Sequence, residues 1–127
     1  MTMPQVTRVG RVVVPVADQD KAIAFYTQLL GFTLVADMPF GDGYRWVEVA
    51  PPGGGANVAF GPTRGDFQPG RPTGILLTSP DPAADQAELA GLGVDVDAEL
   101  MGGDGGVPVM FSFRDQDKNS LMIVQEA

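Results

Sequence analysis

The chain has no histidine and no cysteine in its 127 residues. The missing histidine removes the commonest general acid–base and the commonest imidazole metal ligand, and with them Ser-His-Asp chemistry and every His-based zinc, iron or nickel site. The missing cysteine removes disulfides, thiol nucleophiles and thiolate metal sites. Long apolar runs are missing too. Val12-Val13-Val14 and Leu121-Met122-Ile123-Val124 are far too short to span a bilayer, so no membrane partner is expected. The opening Met1-Thr2-Met3-Pro4-Gln5 has no basic and apolar export pattern, and the expectation is a cytoplasmic protein. Positive charge is scarce: eight Lys and Arg stand against sixteen Asp and Glu, a net charge of −8. A phosphate backbone is repelled by that field, so nucleic acid is not an expected partner, whereas cationic molecules are favoured in the encounter.

What is present is a soluble globular composition, 44% apolar, of a size that suits one domain with a real core. The chain also repeats itself. Arg11–Val16 reads as a strand, Asp18 as a helix N-cap, Ala22, Ile23, Tyr26, Leu29 and Leu30 as one face of a helix, and Gly31 as its C-terminal stop. Gly74–Thr78, Asp81 with Pro82 behind it, Ala84, Leu89 and Leu92, and Gly93 repeat the pattern. The offset from Asp18 to Asp81 matches that from Gly31 to Gly93 to within one residue. Short strands follow each helix at Thr33–Val35 and Val94–Val96. Then come Arg45–Ala50 and Asn57–Phe60 in the first half, and Val109–Phe113 and Leu121–Val124 in the second. The prediction is an α+β domain over residues 1–127. Two tandem βαβββ modules, about 8–62 and about 73–126, form a curved mixed sheet with a concave cavity and helices outside.

Three segments of the repeat resemble one family. They are Val16-Ala17-Asp18 with Phe25-Tyr26 and Leu29-Leu30-Gly31-Phe32, then Arg45–Gly53, then Phe113-Arg114-Asp115-Gln116-Asp117-Lys118-Asn119-Ser120-Leu121. Together they resemble the opening motif, third strand and closing F-x-D-P-D-G-N-x-L motif of the vicinal oxygen chelate superfamily, the glyoxalase, bleomycin-resistance and extradiol-dioxygenase group. Gln116 stands for its Pro and Lys118 for its Gly. The resemblance implies two βαβββ modules around a cup. In metal-using members it also implies four His, Glu or Gln ligands. Those four positions fall here on Arg11, Ala59, Gly74 and Met122. Arg keeps its proton, Ala and Gly carry no donor, and Met is a soft thioether, so the expectation is no metal and no cofactor.

Strand alternation sorts the remaining side chains. Val12, Val14, Val16, Val47, Val49, Val58, Phe60, Phe111, Phe113, Leu121 and Ile123 are expected to pack. Arg11, Trp46, Glu48, Asn57, Met110, Ser112 and Met122 are expected to line a mostly apolar ligand pocket. Glu48 either faces that pocket, with Arg11 as its charge partner, or sits at a solvent rim. Trp46 is a ligand stacker or a packing residue, and Met110 and Met122 are plastic fillers or pocket walls. Phe40, Tyr44, Phe67 and Met101 are candidate rim residues. Gly53–Gly55 and Gly102–Gly106 lack the phosphate-loop pattern and read as hairpin loops, the second a candidate lid.

Three functions compete. The resemblance implies a metal-free, small-molecule-binding protein, antibiotic-sequestering in the manner of bleomycin-type resistance proteins. Those proteins are homodimers that hold a planar, cationic drug between subunits. A second reading is a metal-independent isomerase or lyase with Glu48 as its base, the weak catalytic candidate, and Arg11 beside it. A third is a non-catalytic interaction module whose cavity is filled by Trp46, Met110 and Met122.

Overall fold

The computed structural model describes residues 2–41 and 43–127. Strand β1 (Arg11–Pro15) leads to helix α1 (Gln19–Ala24), whose start is fixed by Asp18: its Oδ1 accepts from the backbone N–H groups of Asp20 at 2.9 Å and Lys21 at 3.2 Å. The helix widens into a π-turn over Phe25–Leu29. Gly31 then takes a φ of 77°, which a residue with a Cβ rarely adopts, and the chain turns into β2 (Thr33–Pro39). Strands β3 (Arg45–Ala50) and β4 (Asn57–Gly61) complete the first half. The second half runs β5 (Pro72–Ser79), α2 (Pro82–Gly91), β6 (Met110–Arg114) and β7 (Ser120–Gln125). Asp81 caps α2 by accepting from Ala84 N–H at 3.1 Å, and Gly93 repeats the stop with a φ of 84°.

The expected α+β architecture is observed, its strands falling into two mixed sheets ordered β1-β4-β3-β2 and β5-β7-β6. The halves share one rule: the first strand pairs in parallel with the last, β1 with β4 and β5 with β7, and the remaining pairs are antiparallel. They differ after the helix. In the first half β2 is longer than expected and pairs along β3. In the second half the expected strand Val94–Val96 is reduced to an isolated bridge, Val96 to Phe113, with a second bridge from Met101 to Met110. The backbone still approaches β6, since Arg114 N–H donates to Asp95 O and Asp97 N–H to Ser112 O, both at 2.9 Å. Beyond the Met101 bridge, Gly102, Gly103, Gly105 and Gly106 all take positive φ and the extended run ends.

The buried side chains come from both halves. Val14, Val47, Val49, Val58 and Phe60 share one cluster with Leu89, Phe111, Phe113, Leu121 and Ile123. Tyr26 is fully buried among aromatic rings, with centroids 4.9 Å from Phe60 and 5.8 Å from Phe32. Its hydroxyl crosses to the second half and donates to Asp115 Oδ2 at 2.8 Å. Asp115 Oδ1 accepts from the backbone N–H groups of Asp117 (2.9 Å) and Asn119 (3.0 Å). Asn119 Nδ2 returns across the junction to Pro15 O at 2.9 Å. Lys118, at the family's glycine position, takes a φ of 65° to close this turn. Burial raises the Asp115 carboxyl above its ordinary value, and the hydrogen bonds it accepts only partly offset that.

Tyr26→Phe keeps the ring and removes one hydrogen bond to a buried carboxylate. It is expected to lower unfolding free energy by about 1.5–3 kcal/mol in urea titrations. Unchanged stability would remove this bond from the junction.

Candidate functional site

Alternation along β3 puts Trp46 and Glu48 on one face, and the pairing register sets β4 and β1 beside them, with Glu48 opposite Ala59 and Arg11 opposite Asn57. Glu48 is only 4% exposed, which resolves its placement in favour of the interior of this face. Three side chains converge on it. Arg11 Nε donates to Oε1 at 2.8 Å, Trp46 Nε1 to Oε1 at 2.9 Å, and Asn57 Nδ2 to Oε2 at 2.8 Å. The Arg11 guanidinium also lies 5.9 Å from the Trp46 ring centre, within cation–π range. Burial alone would raise the Glu48 carboxyl. The hydrogen bonds from Asn57, Trp46 and Arg11, together with the guanidinium charge, outweigh it and hold the group below its ordinary value.

The aromatic wall extends past Trp46. Phe40 lies 6.0 Å from the Trp46 ring and 5.9 Å from Tyr44, so two of the four candidate rim residues border this site. Phe67 lies 5.6 Å from the Arg71 guanidinium and borders a small pocket with Val13, and Met101 bridges to Met110. Val13 was expected to face the concavity with Arg11, whereas Met38 was not placed there. Val13 is exposed beside Arg11's strand neighbours, and Met38 pairs with Trp46 across β2 and β3. The alternation of Arg11 and Val13 signalled the first. The second was hidden because β2 runs further than its apolar start suggests.

Met110, Ser112 and Met122 lie on the other sheet. Ser112 pairs with Met122, Met122 with Leu76, and Met110 with Val124, and all three are half-buried. Among the described residues no hydrogen bond, ion pair or ring contact joins them to the Glu48 cluster. The structure joins four of the seven expected residues by hydrogen bonds and carries the other three on the second sheet.

The four positions that hold metal in related proteins do not suit one here. The Arg11 guanidinium is committed to Glu48, Ala59 is buried with only a methyl group, and Met122 offers a thioether. Gly74 sits at a register shift in β5 with a φ of 76°, so a ligating side chain at that place carries backbone strain as well. Among the described residues no group of three or more Asp or Glu is arranged to take a metal ion.

A cleft of about 860 Å³ opens on the opposite face of β1. Val12, Leu29, Leu30, Phe32, Ile75, Leu77 and Leu89 line it, with Asp85, Glu88 and Glu126 among its polar groups. Of the expected pocket residues only Asn57 borders it. Sequence alternation assigned Val12 and Val58 to packing and gave no sign that the core stays open there. The two surfaces differ in kind: the Glu48 face converges hydrogen-bonding and aromatic side chains, whereas the cleft is a mostly apolar seam with a few acidic groups. No helix among the described residues is long and apolar enough to cross a membrane.

With this geometry in place, comparison gives the class. Residues 8–123 match the Glyoxalase/Bleomycin resistance protein/Dioxygenase superfamily, and the chain belongs to it. It is similar to the crystal structure of TnmS3, an antibiotic binding protein from Streptomyces sp. CB03234. The identity is 34% and the TM-score 0.83, covering 98% of this chain and 100% of that one. A superfamily member from Sphaerobacter thermophilus DSM 20745 is 32% identical with a TM-score of 0.87, covering 97% of this chain and 100% of that one. YetH of Bacillus subtilis (strain 168) is 40% identical over 57 residues, which span 45% of this chain and 48% of that protein.

The depressed Glu48 carboxyl predicts a pH dependence. A carboxyl whose folded-state value lies below its unfolded one adds stability at pH above the unfolded value, here ordinarily 4.5, and that stability is lost as pH falls through the folded value. Urea unfolding between about pH 3 and pH 7 is expected to show a component that Glu48→Gln abolishes. Parallel curves for the two proteins would contradict the ionised cluster.

Proposed function

We propose that this chain is a metal-free, small-molecule-binding member of its superfamily. It sequesters a planar, antibiotic-sized compound on the Glu48 face without turning it over. Its two modules, about 8–62 and about 73–126, form a single domain, and it works as a homodimer in the cytoplasm. The observation that carries the reading is the fixed cluster itself. A buried carboxylate orients an indole and a guanidinium, both left partly open to a ligand, so little side-chain freedom remains to be lost on binding. The likeness to an antibiotic binding protein over nearly the whole chain supports it. Exposed Val13, Met38 and Phe40 beside the cluster, and Leu76 on the other sheet, support a partner copy that closes the ligand groove. The net charge of −8 favours cationic compounds at long range.

The two other readings have less support. As a base Glu48 is poorly suited, because it is held by three donors and kept below its ordinary value. As cavity fillers, Trp46, Met110 and Met122 have less support, since none of the three is fully buried.

Trp46 is the sole tryptophan, so intrinsic fluorescence reports this one face. Screening planar antibiotics by Trp46 emission is expected to find saturable binding with unchanged compound recovered. Trp46→Ala is expected to weaken that binding by about tenfold or more, as loss of an aromatic anchor does. Product formation that survives chelators, or binding indifferent to Trp46→Ala, would overturn the reading. Light scattering is expected to give twice the chain mass; a monomer that binds equally well would remove the dimer from it.

A further inference from the structure

The Glu48 cluster divides its charges unequally between interior and surface. The carboxylate is buried, and both of its oxygens are occupied by three donors. Little of the carboxylate surface is left to meet a ligand. The cation is different. Arg11 spends one N–H, at Nε, on Glu48, and its side chain stays 53% exposed. Among the described residues its two terminal nitrogens have no acceptor. A guanidinium is a planar fork with five N–H donors, and fixing it through Nε leaves an edge of donors pointing away from Glu48. Alongside lies the Trp46 ring, with Phe40 beyond it.

Resting on the ligand-binding reading above, we infer that Arg11 is the specificity residue of the face. The ligand group it takes is an anionic or strongly hydrogen-bond-accepting oxygen, such as a carboxylate or phenolate, on the edge of a planar ring that stacks against Trp46. The chain's acidity acts differently. It is a long-range field, screened within a Debye length of about 8 Å at physiological salt. At contact distance the first charge a ligand meets here is positive. Glu48 in this arrangement is a positioning residue: it neutralises half of the pair and points the guanidinium outward. A charge-assisted hydrogen bond held in a fixed geometry is among the stronger and more selective polar contacts.

Three probes with one ring and three charges test this: 2-naphthoate, (2-naphthyl)methanol and 2-naphthylmethylammonium, titrated calorimetrically into the whole protein, its Trp46→Ala variant and two Arg11 variants. The expected order is naphthoate tighter than the alcohol, and the alcohol tighter than the ammonium. The outer two should differ by about tenfold or more, equivalent to about 1.4 kcal/mol. Arg11→Gln is expected to collapse that order. Because it also unpairs Glu48, its melting curve is taken alongside. Arg11→Lys keeps the charge and is the second variant. Its ammonium, drawn to Glu48, lacks the guanidinium's outward edge, so naphthoate selectivity is expected to fall by several-fold while the alcohol binds as before. Trp46-dependent binding in which the ammonium matches or exceeds naphthoate would overturn the inference and leave the ligand-binding reading standing. Binding of all three that ignores Trp46→Ala, or no binding at all, would overturn the site itself and the inference with it.

Discussion

The two halves of this chain are joined through one buried carboxylate. Asp115 takes the Tyr26 hydroxyl from the first helix and two backbone N–H groups from its own turn, and Asn119 in that turn reaches back to Pro15 at the end of β1. The opening and closing motifs of the sequence are therefore two sides of one junction. Everything on the concave side of β1 depends on it, because β1 carries Arg11 and its far end is pinned by Asn119. A Tyr and an Asp separated by most of the chain have to meet before either can be buried without an unsatisfied polar group.

A second buried carboxylate, Glu48, shows how partner chemistry decides what a buried acid does. Both acids pay for burial. Asp115 is answered by a hydroxyl and neutral N–H groups, and its carboxyl stays raised. Glu48 is answered by an indole, an amide and a full positive charge, and its carboxyl falls. The first arrangement links two halves of a core. The second yields a fixed surface feature, a guanidinium and an indole held together and open on one side. Arg11, one of the four positions that the resemblance assigns to a metal, takes part here in this polar construction.

Much of the fold was legible because its signals are local. Asp18 and Asp81 as caps, Gly31 and Gly93 as stops, and the alternation along Arg45–Ala50 each act through a few neighbouring residues. The first-half site was legible for the same reason, once β1, β3 and β4 were placed side by side. What escaped was long-range. Val94–Val96 has the composition of a strand, yet only Val96 forms a bridge, to Phe113, and the next lies at Met101. Met110, Ser112 and Met122 alternate correctly but belong to a different sheet from Glu48, which alternation alone cannot reveal. The seam lined by Val12 and Ile75 arises from how two sheets approach each other, a property no single segment encodes.

Which surface a ligand occupies is read directly by a ¹H–¹⁵N spectrum with side-chain resonances assigned. The single indole N–H of Trp46, the Asn57 side-chain amide and the Arg11 Nε–H are each a separate reporter on Glu48. On titration with a binding planar compound, the Trp46 and Arg11 signals, which do not border the opposite seam, are expected to shift first and furthest. Shifts concentrated instead at Ile75, Leu77 and Leu89 along the opposite seam, with the Trp46 indole unmoved, would contradict the account and move the site to the other face of β1.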